Sequence, residues 1–428
     1  MKKATKRVGG LIAVVCIVFL IVRAQSEGDQ SEPRNYTVIS QNFLQPINHG
    51  EEHGPRFNQE ILILTPDGAA LESPVFFILG NEGDATIKKL VKLYEAYGAP
   101  KDVIFIQAEH RGYGQSISNQ SDQSNPSYIS IEQALADYHR FITTYKEKYK
   151  GPWMAAGYSY GGGLVIDFAY FYPDDIEVVL ASSAVIDWPI VMPEYDQMVI
   201  KNLGESFYNR MAGHVNKLRP NELFDETWLE REFITNMVLG LSQYSQYQYL
   251  SPVIKALSFL PTDMFVGILK WADAKVTGKS GWTAAVAFGK KSLSHEEALT
   301  GKYNWYTWKY QQCTKTGTFW VSSRSGGVFP KSKKDNLLEC SSMYKQQPLV
   351  SDKTPWSPRS RIRSLKVPVV YTAGGKDPWM ALGQEKTDWI KDQDYFFLKE
   401  GYHCPERHDL EAGEKVLDRM LSYVNQGM

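Results

Sequence analysis

Short apolar runs alternate with amphipathic segments along this chain, and the alternation predicts the fold. Runs of the kind found in strands buried on both faces recur through the first half and return near the C-terminus. Residues 35–56 are polar and rich in turn formers, so the first strand is expected after them. Strands are predicted at 57–64, 74–79, 102–106, 177–181, 367–371 and 395–398, and helices at 129–149 and 410–424. The stretch 153–164 is predicted as a further strand that ends at a glycine-flanked serine and continues as a helix. Strands that alternate with helices indicate an α/β fold with a mainly parallel sheet.

The alternation stops after residue 187. From 188 to 312 the sequence has long helix-type segments with many aromatic residues, and the stretch that follows to about 364 carries two cysteines. We therefore expect an inserted, mostly helical cap at 188–364. The sheet domain would then consist of residues 25–187 and 365–428, a division that suits a chain of 428 residues.

Composition narrows the classes of partner. Hydrophobic residues make up 43% of the chain and charged residues 22%, and the formal net charge is −1. A balanced charge without a long basic run argues against nucleic-acid binding and against a polybasic membrane surface. The sequence leaves a homodimer open.

The first 24 residues have the pattern of an export signal. A basic start precedes the apolar segment 11–22, and Ala24 follows at a position suited to cleavage. The apolar segment is shorter than a spanning helix requires, although an uncleaved anchor is the alternative. Export permits disulfides, so Cys313 and Cys340 are expected to pair, which leaves Cys404 as the odd cysteine.

A glycine-flanked serine lies where an apolar strand meets an apolar helix. Gly157, Ser159 and Gly161 fit the G-x-S-x-G spacing, in which the serine occupies a sharp strand-to-helix turn and its hydroxyl is exposed to a base. The context predicts a nucleophile elbow. The alternative is a glycine-rich turn with a surface serine.

Acid and base candidates follow two later strands. Asp377 comes after the strand at 367–371 and His403 after the strand at 395–398, both at carboxyl ends where open sheets build their sites. Ser159, Asp377 and His403 would form a catalytic triad. His408 is the rival base, but it directly precedes the start of the last helix, so we favour His403. No histidine spacing suggests a metal site, and no cofactor is expected.

Acyl transfer also requires donors for the oxyanion. One backbone N–H is expected from Tyr160, which follows the nucleophile, and another from the loop after the early apolar strand, at Glu82 and Gly83. The Glu82 carboxylate would contact a charged or polar end of the substrate, or else it bonds local backbone.

Several blocks resemble, in chain order, the prolylcarboxypeptidase and dipeptidyl peptidase II family of serine peptidases. They are Gly80-Asn81-Glu82-Gly83-Asp84, Ala108-Glu109-His110-Arg111, Ser159-Tyr160-Gly161-Gly162, Gln312-Cys313-Thr314, Asp377-Pro378-Trp379 and Gly401-Tyr402-His403. The resemblance implies an α/β-hydrolase fold with a helical cap, cleavage next to proline, a secreted, periplasmic or lysosomal location, and the triad named above.

The resemblance also implies a pocket for the proline ring. Trp379 would line it, since an aromatic face suits that ring. Gly163 falls at a second pocket position, where the family often has methionine, and Tyr158 stands where the family usually has a glycine. Both departures bear on the strictness of the proline preference.

The leading hypothesis is therefore an exported serine exopeptidase that cleaves peptides next to proline through an acyl-enzyme. Whether it is a carboxypeptidase or an aminopeptidase stays open. An esterase or lipase on the same scaffold is the first alternative, because fold does not fix the substrate. A catalytically inactive hydrolase used as a binding protein is the second.

Overall fold

The structure of the protein is a computed structural model that describes residues 35–51, 53–118, 128–220, 226–276, 304–343, 356–382 and 391–425. The predicted export signal at residues 1–24 lies outside these ranges. No helix in the described part of the chain combines the length and hydropathy needed to cross a bilayer.

An eight-stranded sheet forms the centre of the fold. Its spatial order is β1-β2-β4-β3-β5-β6-β7-β8. The pairs β1–β2 and β2–β4 are antiparallel, and every pairing from β4 to β8 is parallel. The strands are β1 (Tyr36–Pro46), β2 (Arg56–Pro66), β3 (Val75–Leu79), β4 (Ile104–Ala108), β5 (Trp153–Tyr158), β6 (Val178–Ser182), β7 (Val369–Gly374) and β8 (Tyr395–Leu398). The predicted α/β-hydrolase fold with a mainly parallel sheet is confirmed.

The expectation that the first strand comes after residue 56 was wrong. Strand β1 pairs along its whole length with β2, from Tyr36 opposite Pro66 to Pro46 opposite Arg56. It is an edge strand with one partly solvated face, so its polar residues are accommodated and conceal the strand in the sequence. Strands β4 and β7 also begin two residues later than predicted, at Ile104 and Val369.

Helices connect β3 to β4, β4 to β5 and β5 to β6, as is usual for neighbouring parallel strands. The helices are α1 (Ile87–Ala96), α2 (Ile131–Tyr145), α3 (Tyr160–Phe171), α4 (Pro193–Leu203), α5 (Glu205–Lys217), α6 (Glu226–Gln243), α7 (Ser251–Leu257), α8 (Thr262–Val276), α9 (Asn304–Gln311), α10 (Lys333–Met343), α11 (Arg359–Ile362) and α12 (Leu410–Asn425). The Ser130 hydroxyl caps α2 by accepting the Gln133 N–H.

The interior strands are buried from end to end. All residues of β3, β5 and β6 are buried, which explains their apolar sequences. One core cluster joins side chains of β3 and β4 to those of α1 and α12, including Phe76, Phe105, Tyr94 and Val416. This packing holds the carboxyl ends of the strands in place for the loops that follow them.

The chain divides into two compact units. The larger comprises Asn35–Met198, Ser294–Val321 and Lys331–Met428, and it contains the sheet. The smaller includes Val199–Leu293 and Ser322–Pro330, and it contains helices α5 to α8. Within the smaller unit His214 stacks on Phe265 at 4.5 Å between ring centroids. The cap boundaries predicted at 188 and 364 stay a prediction.

The larger unit contains the disulfide expected from the sequence. Cys313 lies in a π-helical turn at Gln312–Thr316 and bonds to Cys340 in α10, with 5.4 Å between the Cα atoms. Cys404 is a buried free thiol. Across the described ranges, no group of three or more His, Cys, Asp or Glu side chains is arranged to hold a metal ion.

Candidate active site

Ser159 lies on the sharp turn between β5 and α3. Its backbone has φ 57° and ψ −121°, a conformation that costs energy for a residue with a Cβ atom. A Cβ atom on Gly157 would lie 1.9 Å from the Gly161 carbonyl oxygen, so the strand must have glycine there. Gly161 itself has ordinary space around it, with its nearest contact at 3.5 Å. The elbow therefore depends on the first glycine of the motif more than on the second.

The candidate acid and base meet beyond the ends of β7 and β8. His403 Nδ1 lies 2.7 Å from Asp377 Oδ2, and both side chains are buried. The other carboxylate oxygen accepts the Trp379 N–H at 3.0 Å, which fixes the rotation of the carboxylate. Burial disfavours the imidazolium, but the Asp377 carboxylate outweighs it and holds the pKa of His403 well above its ordinary value. His408, the rival base, is exposed, and the histidine that contacts Asp377 is His403.

The loop that carries His403 is tied to the end of β6. The Cys404 N–H donates to Ser183 Oγ at 2.8 Å, and Ser182 Oγ donates to Glu406 Oε1 at 2.6 Å. Glu406 is fully buried, so these contacts are not weakened by water. They fix the loop on both sides of the imidazole.

Tyr158 contributes to the same anchoring. Its hydroxyl lies 2.9 Å from the Tyr97 hydroxyl, which in turn lies 3.5 Å from Glu406 Oε1. The Tyr158 side chain belongs to the hydrophobic core cluster. Tyrosine before the nucleophile thus serves packing under the elbow in this chain.

Glu82 lies beside the candidate nucleophile. Ser159 Oγ is 3.5 Å from Glu82 Oε1, the outer limit of a hydrogen bond. The second oxygen, Oε2, is buried and has no hydrogen-bond partner among the described residues. Burial raises the pKa of Glu82 against the opposing effects of its own N–H, His403 and Ser159. The sequence predicted this residue at the site without its contact to Ser159.

The oxyanion donors predicted at Tyr160 and Gly83 border this carboxyl group. Tyr160 is the first residue of α3, where backbone N–H groups have no acceptor within the helix. Gly83 follows Glu82 directly in the loop after β3. The phenol of Tyr160 is buried, and it accepts a hydrogen bond from Gln311 Nε2 at 2.9 Å.

Trp379 is surrounded by three other aromatic rings, and together they form what we term the aromatic cluster: Trp188, Tyr195, Trp320 and Trp379. Measured from Trp379, the ring centroids lie at 5.1 Å for Tyr195, 6.2 Å for Trp320 and 6.5 Å for Trp188. The indole N–H groups of Trp379 and Trp320 are buried without a hydrogen-bond partner in the described ranges. Sequence reasoning found only Trp379. The other rings come from distant segments, and their only signal was the aromatic content after residue 187.

Gly163 is covered by Trp356. A Cβ atom on Gly163 would lie 2.8 Å from the Trp356 ring and 2.7 Å from the Val185 carbonyl oxygen. The Trp356 indole N–H donates to Asp167 Oδ2 at 2.7 Å, and Arg361 pairs with the same carboxylate. Trp356 therefore occupies the space that a side chain at position 163 would take.

A model of the serine carboxypeptidase S28 family matches residues 49–215, which include Glu82 and Ser159. The matched segment is less than half of this chain, and over that segment the chain is similar to this family of serine peptidases. The human lysosomal Pro-X carboxypeptidase is 32% identical over 168 residues, which are 36% of this chain and 32% of that protein. The bovine lysosomal Pro-X carboxypeptidase is 25% identical over 73% of this chain and 71% of its own length. The probable serine protease EDA2 of Arabidopsis thaliana is 24% identical over 74% of this chain and 68% of its own length.

Among solved structures, the proline iminopeptidase of Mycobacterium smegmatis aligns with 91% of this chain and 100% of its own, with a TM-score of 0.42 and 12% identity. At that distance nothing about the site is carried over.

Proposed function

We propose that the protein is an exported serine exopeptidase that cleaves peptides next to proline, with Ser159 as nucleophile, His403 as base and Asp377 as the acid that orients it. The observation that carries the proposal is the buried 2.7 Å contact between His403 and Asp377, in the same unit as a serine held at φ 57°. A positive φ costs energy in a residue that has a Cβ atom, and backbone strain of this kind is concentrated at active sites and ligand-binding sites.

The proposed chemistry follows from these roles. As Ser159 Oγ attacks the scissile carbonyl carbon, its proton passes to His403 Nε2 and the carbonyl π electrons move to oxygen. The Asp377 carboxylate stabilises the imidazolium through Nδ1–H. When the C–N bond breaks, the leaving amine takes the proton from His403 and an acyl-enzyme remains. Water, deprotonated by the same histidine, then attacks the acyl carbon. The bond from that carbon to Ser159 Oγ breaks, Oγ takes the proton back from His403, and the acid product leaves.

The aromatic cluster supports the preference for proline. Trp379 is only two residues beyond Asp377, and its ring lies near those of Tyr195 and Trp320. A pyrrolidine ring packs well on aromatic faces. The two buried indole N–H groups have no acceptor in the part of the chain that the structure describes, and carbonyl oxygens of the substrate would supply one. Trp356 over Gly163 would limit the size of the adjoining pocket.

The proposal also includes the cellular location of the protein and the cap predicted at residues 188–364. An oxidised Cys313–Cys340 pair is typical of proteins outside the cytosol, and relatives are named as lysosomal enzymes. We place the protein in the secretory or lysosomal route, with residues 188–364 as an inserted, mostly helical cap.

The test is a timed digest of peptides with proline at each position, with free, amidated and acetylated ends, followed by mass spectrometry. Loss of one C-terminal residue after a penultimate proline, prevented by amidation, identifies a carboxypeptidase. Loss of N-terminal di- or tripeptides, prevented by acetylation, identifies an aminopeptidase. Ser159→Ala is the matched control and should abolish both activities.

Two results would contradict the proposal. If fluorophosphonate labels Ser159 while all peptides survive and long acyl esters are cleaved, the protein is an esterase. If the folded protein is neither labelled nor active on either substrate class, it is an inactive hydrolase with a binding role.

A further inference from the structure

We propose that the Glu82 side chain is a proton-controlled part of the oxyanion hole: its neutral carboxyl group donates a hydrogen bond to the oxyanion, and its carboxylate form obstructs the same place. This inference rests on the proposed function, because it assigns a task within that site. Its consequence is a peptidase whose rate declines on the alkaline side for a reason separate from the triad.

The position of the carboxyl group is the first argument. Glu82 Oε1 lies 3.5 Å from Ser159 Oγ, on the loop that is expected to supply one of the oxyanion donors. A carboxyl group this close to the nucleophile borders the place where the carbonyl oxygen of a substrate would lie. A substrate carbonyl must displace it or share the space with it.

The second argument concerns the hydrogen bonding of the other carboxyl oxygen of Glu82. Glu82 Oε2 is buried without a hydrogen-bond partner among the described residues. A buried carboxylate oxygen in that state is costly, whereas a protonated oxygen that meets an oxyanion is satisfied. A reacting carbonyl group would therefore give Glu82 Oε2 a hydrogen-bond partner that the described residues do not provide.

The charges around Glu82 act in different directions. His403 is the cationic group that faces it from the loop after β8, with Asp377 on the far side of the imidazole. The neutral phenol of Tyr160 faces it from α3. On its own loop, Asp84 pairs with Lys89 at 2.6 Å in solvent. Glu109 holds that loop from the end of β4 by accepting the Ala85 N–H at 2.7 Å.

The pH dependence follows from the sign of the shift. Burial raises the pKa of Glu82, so the neutral form persists to higher pH than for an ordinary glutamate. His403 and Glu82 are close enough to titrate as a pair, and the reactive state needs the proton on Glu82 and none on the imidazole. As pH rises further, the pair loses its last proton, Glu82 is left as a carboxylate beside the oxyanion, and the rate falls.

The chemical step conserves atoms and charge. When the Ser159 Oγ–carbon bond forms, the carbonyl oxygen gains the π electron pair and His403 gains the serine proton. The oxyanion accepts hydrogen bonds from the Tyr160 N–H and from the Glu82 O–H. The Glu82 proton stays on Glu82 and is shared only as a hydrogen bond, as in other oxyanion sites that use a neutral acid.

The test is the rate of fluorophosphonate labelling between pH 4 and pH 10, measured on the full-length protein. Labelling does not depend on proline, because only the phosphonyl oxygen enters the oxyanion hole. Wild type should pass through a maximum and decline at alkaline pH. Glu82→Gln keeps a neutral donor, so its rate should stay within about tenfold of the wild-type maximum and remain level at alkaline pH. Glu82→Ala should lose the decline but label about 100-fold more slowly.

Asp84→Asn is the matched control, since it removes a carboxylate from the same loop that does not face Ser159, and it should keep the wild-type profile. An alkaline decline that persists in Glu82→Gln, or one that disappears equally in Asp84→Asn, would overturn the inference and leave the proposed function standing. Failure of wild type to label at any pH would overturn both.

Stability gives a second measurement. The folded protein holds the Glu82 proton more tightly than the unfolded chain does, so stability declines as pH rises through the window between the two pKa values. Glu82→Gln removes this cost, and its thermal midpoint at pH 8 should equal or exceed that of wild type. A midpoint well below wild type would mean that Glu82 is a structural carboxylate, which contradicts the inference.

Discussion

Replacement of Asp377 by asparagine tests the proposed triad most directly. The Trp379 N–H donates to Asp377 Oδ1 at 3.0 Å, and a backbone donor will retain the oxygen of an asparagine at that position. The amide NH₂ is then turned toward His403 Nδ1, which lies 2.7 Å from Oδ2 in the native protein. An NH₂ group can only donate, so Nδ1 must accept and the ring proton moves to Nε2. The imidazole then has no lone pair directed at Ser159.

The expected loss of turnover follows from the burial of Asp377 and His403. The side chains are only 1% exposed at Asp377 and 4% exposed at His403, so water cannot offer an alternative partner that restores the tautomer. Loss of the correct tautomer in a Ser-His-Asp triad lowers turnover about 10⁴-fold, which corresponds to about 5 kcal/mol in the barrier. Asp377→Asn should show a loss of this size in kcat, with little change in KM.

The assay is steady-state cleavage of the peptide identified by the digest, together with the rate of fluorophosphonate labelling. Asp394→Asn is a suitable control, because Asp394 is also a buried aspartate, hydrogen-bonded to Arg419 at 2.7 Å and Tyr423 at 2.8 Å. It should lower thermal stability and leave kcat near wild type. If Asp377→Asn keeps more than about one tenth of wild-type turnover, Asp377 does not orient the base and the proposed triad is wrong.

Three further predictions concern the pocket, the disulfide and metals. Trp379→Ala should lower kcat/KM for proline peptides about 10- to 100-fold while Trp379→Phe retains most of it, and equal losses on substrates without proline would contradict its assignment to the pocket. Cys340→Ser opens a loop with a sequence separation of 27 and should cost about 3–4 kcal/mol in urea unfolding; a cost under about 1 kcal/mol would show that the bond adds little. EDTA should leave turnover unchanged, since the proposed nucleophile and base are side chains, and a loss restored by zinc would contradict this.

The sequence predicted the sheet well because apolar runs such as the one in β3 are buried on both faces. It failed at β1, where solvent on one face permits polar residues and hides the period of two. The positions of Asp377 and His403 could be anticipated from the strand ends, although their catalytic roles stay a prediction. The neighbours of Trp379 could not, because Trp188 and Trp320 are far apart in sequence and meet only through the tertiary fold.

The sheet order has a consequence for how the protein is made. The candidate nucleophile follows β5, whereas the acid and base follow β7 and β8, which add to the sheet beside β6 at its far edge. A chain emerging from the ribosome or crossing a membrane from its N-terminus therefore carries the serine long before it carries the histidine. If the triad is as proposed, hydrolytic activity begins only when the last strands have docked. Synthesis and secretion would then proceed with the serine inert.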